Sequence, residues 1–168
     1  MEGVFTVKKA QKFIVLTLLT VMACSALPAV AWDPAKQVNL GQDAGKMQWY
    51  ILDYGIGEDG IPFSVARKYY TNEKTKQETI ELLMSKYGYS AEVAGSLYFT
   101  EYGFEYTKDG KQFATTYLRH YDMLGNEIHG TEYDDSSEAT SKTFAPIVPA
   151  HASGKAIALA MPPAQRRR

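Results

Sequence analysis

The chain has 168 residues, with 18 Lys plus Arg against 19 Asp plus Glu, 45% hydrophobic and 12% aromatic residues, one cysteine and 7 prolines. This composition excludes a collagen, a coiled coil, a low-complexity tail and a disulfide-knotted toxin, and a net charge of -1 excludes a generally basic nucleic-acid binder. The length suits one modest domain, without a repeat of fixed period or a segment long enough for a second domain.

Lys8, Lys9 and Lys12 precede the apolar run from Phe13 to Ala23, which is shorter than the roughly 20 residues a helix needs to cross a bilayer core. With Leu27-Pro28-Ala29-Val30-Ala31 behind it, residues 1–31 read as an export signal, in which the small Ala29 and Ala31 fit the narrow pockets of a signal peptidase. Cleavage after Ala31 would send the chain to the periplasm, the cell surface or the medium. It would also remove Cys24, and with it any disulfide, thiolate nucleophile or Cys metal ligand. In the alternative, Val21-Met22-Ala23-Cys24 acts as a lipobox, although Met22 fits it poorly, and acylation of Cys24 tethers the protein to a membrane.

Residues 32–46 carry Pro34, Gly41, Gly45 and few apolar positions, which predicts a flexible leader. Strand alternation begins at Met47-Gln48-Trp49-Tyr50-Ile51-Leu52-Asp53-Tyr54 and resumes after Gly55–Gly60 in Ile61-Pro62-Phe63-Ser64-Val65, with Pro62 at a strand start or edge. From Asn72 the period becomes 3.6, because Ile80, Leu83, Met84 and Tyr87 share one face. Asn72 or Thr71 is the predicted N-cap of this helix and Gly88 its left-handed exit. A linker with Ser90, Ala94 and Gly95 leads to an aromatic strand, Leu97–Tyr106, a turn at Lys108-Asp109-Gly110 and a return arm, Phe113–Tyr121. A second turn at Gly125-Asn126 would launch a third antiparallel strand, Glu127–Tyr133. Asp134–Thr143 has loop composition, Phe144-Ala145-Pro146-Ile147-Val148-Pro149 is extended, and a short helix over Lys155–Met161 takes Ser153 as its cap. Residues 47–161 thus predict a single α+β domain, with one antiparallel sheet of about five strands, one main amphipathic helix and a short C-terminal helix, followed by a disordered basic tail at 162–168.

Gly55-Ile56-Gly57-Glu58-Asp59-Gly60 matches a dinucleotide fingerprint in spacing only, because a strand follows it rather than a helix and its two acids would repel phosphate. It reads as a plain hairpin loop. His120 and His129 can face each other across the Gly125-Asn126 hairpin near Asp122 or Glu127, but two histidines without a defined third ligand read as a surface pair on the sheet. The cluster Asp134-Asp135-Ser136-Ser137-Glu138 lacks the spacing of a calcium loop, and no serine sits in a nucleophile elbow. Glu101 and Glu105 share a strand face, as glycosidase acids can, although sheet carboxylates more often solubilise. Tyr98, Tyr102, Phe104 and Tyr106 on one face, with Leu97 and Phe99 on the other, leave more aromatic surface than one core requires. Tyr98, Tyr102 and Tyr106 are therefore the candidate protein-contact surface.

Taken in order from Val65 to Met161, the chain resembles the surface-adhesin protein E family of small exported bacterial proteins. The resemblance lies in Lys68-Tyr69-Tyr70 before the helix Glu73–Tyr87, the aromatic strand Leu97–Tyr106, the turn Tyr121-Asp122-Met123-Leu124-Gly125-Asn126 and the closing Phe144–Pro149 with its short helix. Departures are the absence of a cysteine pair after the signal, Phe144 where a tryptophan is usual, and a lengthened Ala150-His151-Ala152-Ser153. The resemblance implies an antiparallel sheet flanked by a helix and displayed outside the cytoplasm, with some relatives that bind host extracellular-matrix proteins. It carries no catalytic residue over. The expectation is a non-enzymatic domain with a protein partner, a host matrix or cell-envelope protein, without cofactor or nucleic acid, and with membrane contact only through a lipidated Cys24. The alternative is an envelope metal-dependent enzyme or metal-binding protein that uses His120, His129 and nearby carboxylates.

Overall fold

The computed structural model describes residues 37–134 and 141–161, which belong to one compact unit. The predicted export signal with Cys24, Ala29 and Ala31, the start of the leader, part of the acidic loop and the basic tail lie outside the described residues. The chain runs through β1 (Val38–Gln42), β2 (Gln48–Ile56), β3 (Pro62–Tyr69), α1 (Glu73–Tyr87), α2 (Ala91–Gly95), β4 (Phe99–Tyr106), β5 (Gln112–Tyr121), β6 (Glu127–Glu132), β7 (Ala145–Pro146) and α3 (Ala152–Ala160). All strand pairs are antiparallel, in the order β1-β2-β3-β4-β5-β6 with β7 also on β5. The sheet curls into a half-barrel.

The α+β class holds, and among the described residues the sheet has seven strands rather than about five. The additional strands are β1, formed within the predicted leader, and the two-residue β7. Neither shows alternation in sequence. β1 contains a bulge at Leu40 and left-handed Gly41, whose amide is held by the Asn39 side chain at 2.7 Å. Its place is set by Val38 and Leu40 packing on the core, not by local propensity.

α1 forms where its periodicity ends in strong caps. Asn72 Oδ1 accepts from the amides of Lys74 and Thr75, while left-handed Gly88 and Tyr89 return amides to Met84 and Leu83. Its apolar face is less buried than the spacing predicts, because α1 stands at the end of the sheet and packs on α2. Leu83 is buried with Ala94 and Leu97, whereas Met84 and Tyr87 are exposed. α2 arises in the predicted linker, capped by Ser90 Oγ. The loop at Gly55–Gly60 is the expected hairpin, with Gly60 at a φ of 77°.

α3 lies across β1, β2 and β3, and its Ala156, Ile157 and the following Met161 are buried against Ile51, Ala66, Phe104 and Tyr106. It begins three residues earlier than predicted, with His151 at the N-cap and no side-chain cap bond, so Ser153 is a buried helical residue instead of the cap. The close approach of Gly154 to the preceding turn permits this start. A Cβ there would collide with the Val148 carbonyl oxygen and stand 2.6 Å from Pro149 Cα. Gly154→Ala is therefore expected to lower the unfolding free energy in urea by about 3 kcal/mol, while Ala158→Ser on the exposed side of α3 changes it by less than about 0.5 kcal/mol.

Candidate functional site

Alternation along the strands sorts their side chains onto two faces. One face meets α3 through Ile51, Ala66, Phe104 and Tyr106. Register places Tyr50 and Arg67 opposite each other on the other face, next to Glu101, with Tyr69 beside Phe99 and Phe99 beside Tyr121. Here Glu101 is only 6% exposed, and it accepts from Arg67 Nη2 and from the Tyr117 hydroxyl, each at 3.1 Å. The Arg67 guanidinium also lies 4.1 Å from the Phe99 ring centre, and Phe99 stacks on Tyr121 at 4.9 Å. Burial, followed by the Glu101 charge, pushes the Tyr117 phenol well above its ordinary value. Glu105 is bonded instead to Lys142 at 3.2 Å. The two strand carboxylates thus serve separate cation partners and do not form an acid–base pair across a common space.

A chain of rings continues on this face. Tyr69 meets Tyr50 edge-on at 5.7 Å and Tyr98 edge-on at 5.6 Å. Of the three predicted contact tyrosines, Tyr98 is the exposed one, at 45%, Tyr102 is half-buried and Tyr106 is buried. Tyr102 points to the α3 side, where it stacks on Phe104 and lies 5.2 Å from Trp49, and burial raises its phenol well above the usual range. Tyr106 is 1% exposed, with its hydroxyl 2.7 Å from Ser64 Oγ and donating to the Ser153 carbonyl. These two turn away from the Tyr98 rings because the even-numbered side chains of the inner strand β4 lie on the face that carries the Ile51–Ile157 core. Tyr50 and Tyr69, half-buried like Tyr102, adjoin Tyr98 on the opposite face. No local signal marks them, since their face follows from pairing with β3 and β4.

His120 and His129 face each other in register across the β5–β6 ladder, with ring centres 6.3 Å apart. They are not a surface pair. His120 is 4% exposed and its Nδ1 is 2.8 Å from Thr100 Oγ1, which lies 2.8 Å from the Tyr70 hydroxyl. His129 packs 3.9 Å from the Tyr87 ring, with the Tyr89 hydroxyl 3.3 Å from Nδ1 and Thr131 Oγ1 3.3 Å from Nε2. Lys68 sits nearby, 4.9 Å from the Tyr70 ring centre and 5.3 Å from that of Tyr102. Among the described residues, no group of three or more His, Cys, Asp or Glu is arranged to hold a metal ion. What the cluster offers is a chain of short hydroxyl–imidazole bonds joining β3, β4 and β5, and, through Tyr87 and Tyr89, the end of α1.

Comparison with protein-family models, curated proteins and solved structures gives no match. Among the described residues, no helix is long and apolar enough to cross a membrane.

Burial, then Lys68 and His129, bring the His120 imidazole down from 6.5 to about 4. The unfolded chain therefore takes up this proton first. The stability associated with neutral His120 is complete above pH 6.5 and is lost as the pH falls from there through 4, on the order of 3 kcal/mol. Urea unfolding at pH 7 and pH 4 is expected to show this loss, and His120→Gln to show a loss smaller by that amount. His129, also shifted downward by burial, titrates in both proteins.

Proposed function

We propose that this chain is an exported, non-enzymatic binding domain whose partner is another protein, a host matrix protein or a component of the cell envelope. The observation that carries this reading is the ring row Tyr50–Tyr69–Tyr98 on the sheet face opposite α3, which ends at the exposed Tyr98. Tyrosine joins a broad apolar body to a polar tip and loses little conformational freedom on binding, so such a row suits protein contact. The resemblance to the surface-adhesin protein E family and the sequence of residues 1–31 support the same reading. The charged and hydrogen-bonding groups beneath the row are engaged with one another, Arg67 with Glu101 and Glu101 with Tyr117. They hold the platform in shape and leave recognition to the rings.

The test is titration of the intact protein over immobilised laminin, fibronectin and collagen, and over a detergent-solubilised envelope fraction of its own cells. Saturable binding to one of these is expected. The double variant Tyr50→Ala/Tyr98→Ala should weaken it at least about tenfold while retaining a cooperative unfolding transition. Absence of saturable binding throughout, or unchanged affinity of a folded double variant, overturns the reading.

A further inference from the structure

The turn between β5 and β6 holds two large apolar side chains in solvent, Met123 at 72% and Leu124 at 82% exposure. Its own polar atoms build it. Asp122 Oδ1 accepts from the amides of Leu124 and Asn126, each at 2.8 Å, Asp122 Oδ2 accepts from Asn126 Nδ2, and Gly125 takes the left-handed conformation with a φ of 82°. Met123 and Leu124 therefore contribute no side-chain bond to the turn that carries them, and polar residues would serve folding equally well. Tyr98 adjoins the stem, its amide donating to the Tyr121 carbonyl at 2.8 Å. Tyr87 stands on the other side, packed at a tilt against His129. Both of these rings are more than one-third exposed.

We propose that this hairpin tip is the anchor that enters an apolar pocket on a partner protein, and that the pocket is rimmed by Lys or Arg. The proposal rests on the protein-binding reading above and names the part of the surface that engages first. A turn already fixed by its own hydrogen bonds loses little entropy on docking, and methionine adapts to an irregular pocket. Charge selects the occupant. On the hairpin itself the charged groups are Asp122 and Glu127; Arg119, 3.9 Å from Glu127, is committed to a closer pair with Glu132, and the flanking cation Lys86 lies 5.1 Å from the Tyr87 ring centre. The bonds from Asn126 and Leu124 hold the Asp122 carboxyl below its ordinary value, so it stays ionised. An acidic rim is repelled by anionic lipid headgroups and by a second copy of itself, and attracts a basic protein surface.

The experiment places the photoreactive residue p-benzoylphenylalanine at Leu124 and, separately, at Tyr50 of the intact protein. Each is irradiated with a solubilised envelope fraction of its own cells and with a mixture of laminin, fibronectin and collagen. A covalent adduct from position 124 to an apolar peptide beside Lys or Arg is expected. In the same mixture, Met123→Ser/Leu124→Ser should lower binding at least about tenfold, with its unfolding midpoint within about 2 °C of the parent. An adduct only from position 50, with the double serine variant binding like the parent, overturns the anchor and leaves the protein-binding reading standing. An adduct from position 124 to lipid or to a second copy also overturns the anchor. No adduct from either position, together with no saturable binding, removes both.

Discussion

Glu101 and Arg67 meet at 3.1 Å between two strands that are both interior to the sheet, and the placement of their neighbours follows from satisfying that pair. A carboxylate that is 6% exposed is costly without a partner, and this one receives a guanidinium from β3 and a phenol from β5. The three strands are therefore held in one register, with Arg67 opposite Glu101 and Glu101 opposite Arg119. A slip by one residue would turn Glu101 to the face of Thr100 and Tyr102, away from Arg67 and Tyr117. The ion pair contributes little net stability once desolvation is counted, but it penalises the wrong register strongly.

That register also decides where the aromatic residues go. With Glu101 on one face, Tyr102, Phe104 and Tyr106 must lie on the other, where the small Ala156 of α3 is buried against the sheet. Phe99, Tyr121, Tyr69 and Tyr50 gather on the Glu101 face as ring contacts that run outward to Tyr98. At the far side of the helix-covered face, the Tyr70–Thr100–His120 chain forms a second polar seam. Buried polarity in this domain thus organises strand pairing, and the acid sensitivity expected of it follows from the neutral imidazole at the end of that seam.

The candidate surface was partly legible. His120 and His129 were expected to oppose each other because a tight turn at Gly125-Asn126 fixes the pairing of its flanks, and they do so across β5 and β6. Tyr98 was identified from aromatic density alone and is exposed, whereas of Tyr102 and Tyr106, chosen by the same reasoning, the first is half-buried on the opposite face and the second is interior. Aromatic density reports that rings exceed local need, but it does not say which face a helix distant in sequence will cover.

The elements whose determinants lie within a few residues were set by sequence alone: α1 with its Asn72 and Gly88 caps, the hairpins at Gly60, Gly110 and Gly125, and the alternating runs of β2 to β6. Caps, left-handed turns and side-chain alternation act over one or two turns of chain and need no distant partner. Tertiary structure alone decided β1, β7, the start of α3, the burial of His120 and the division of the tyrosines between core and surface. Each depends on a contact far along the chain, as Val38 and Leu40 depend on the core beneath α3, or Glu101 on Arg67. Such contacts exist only after the sheet has assembled, which is why no window of sequence displays them.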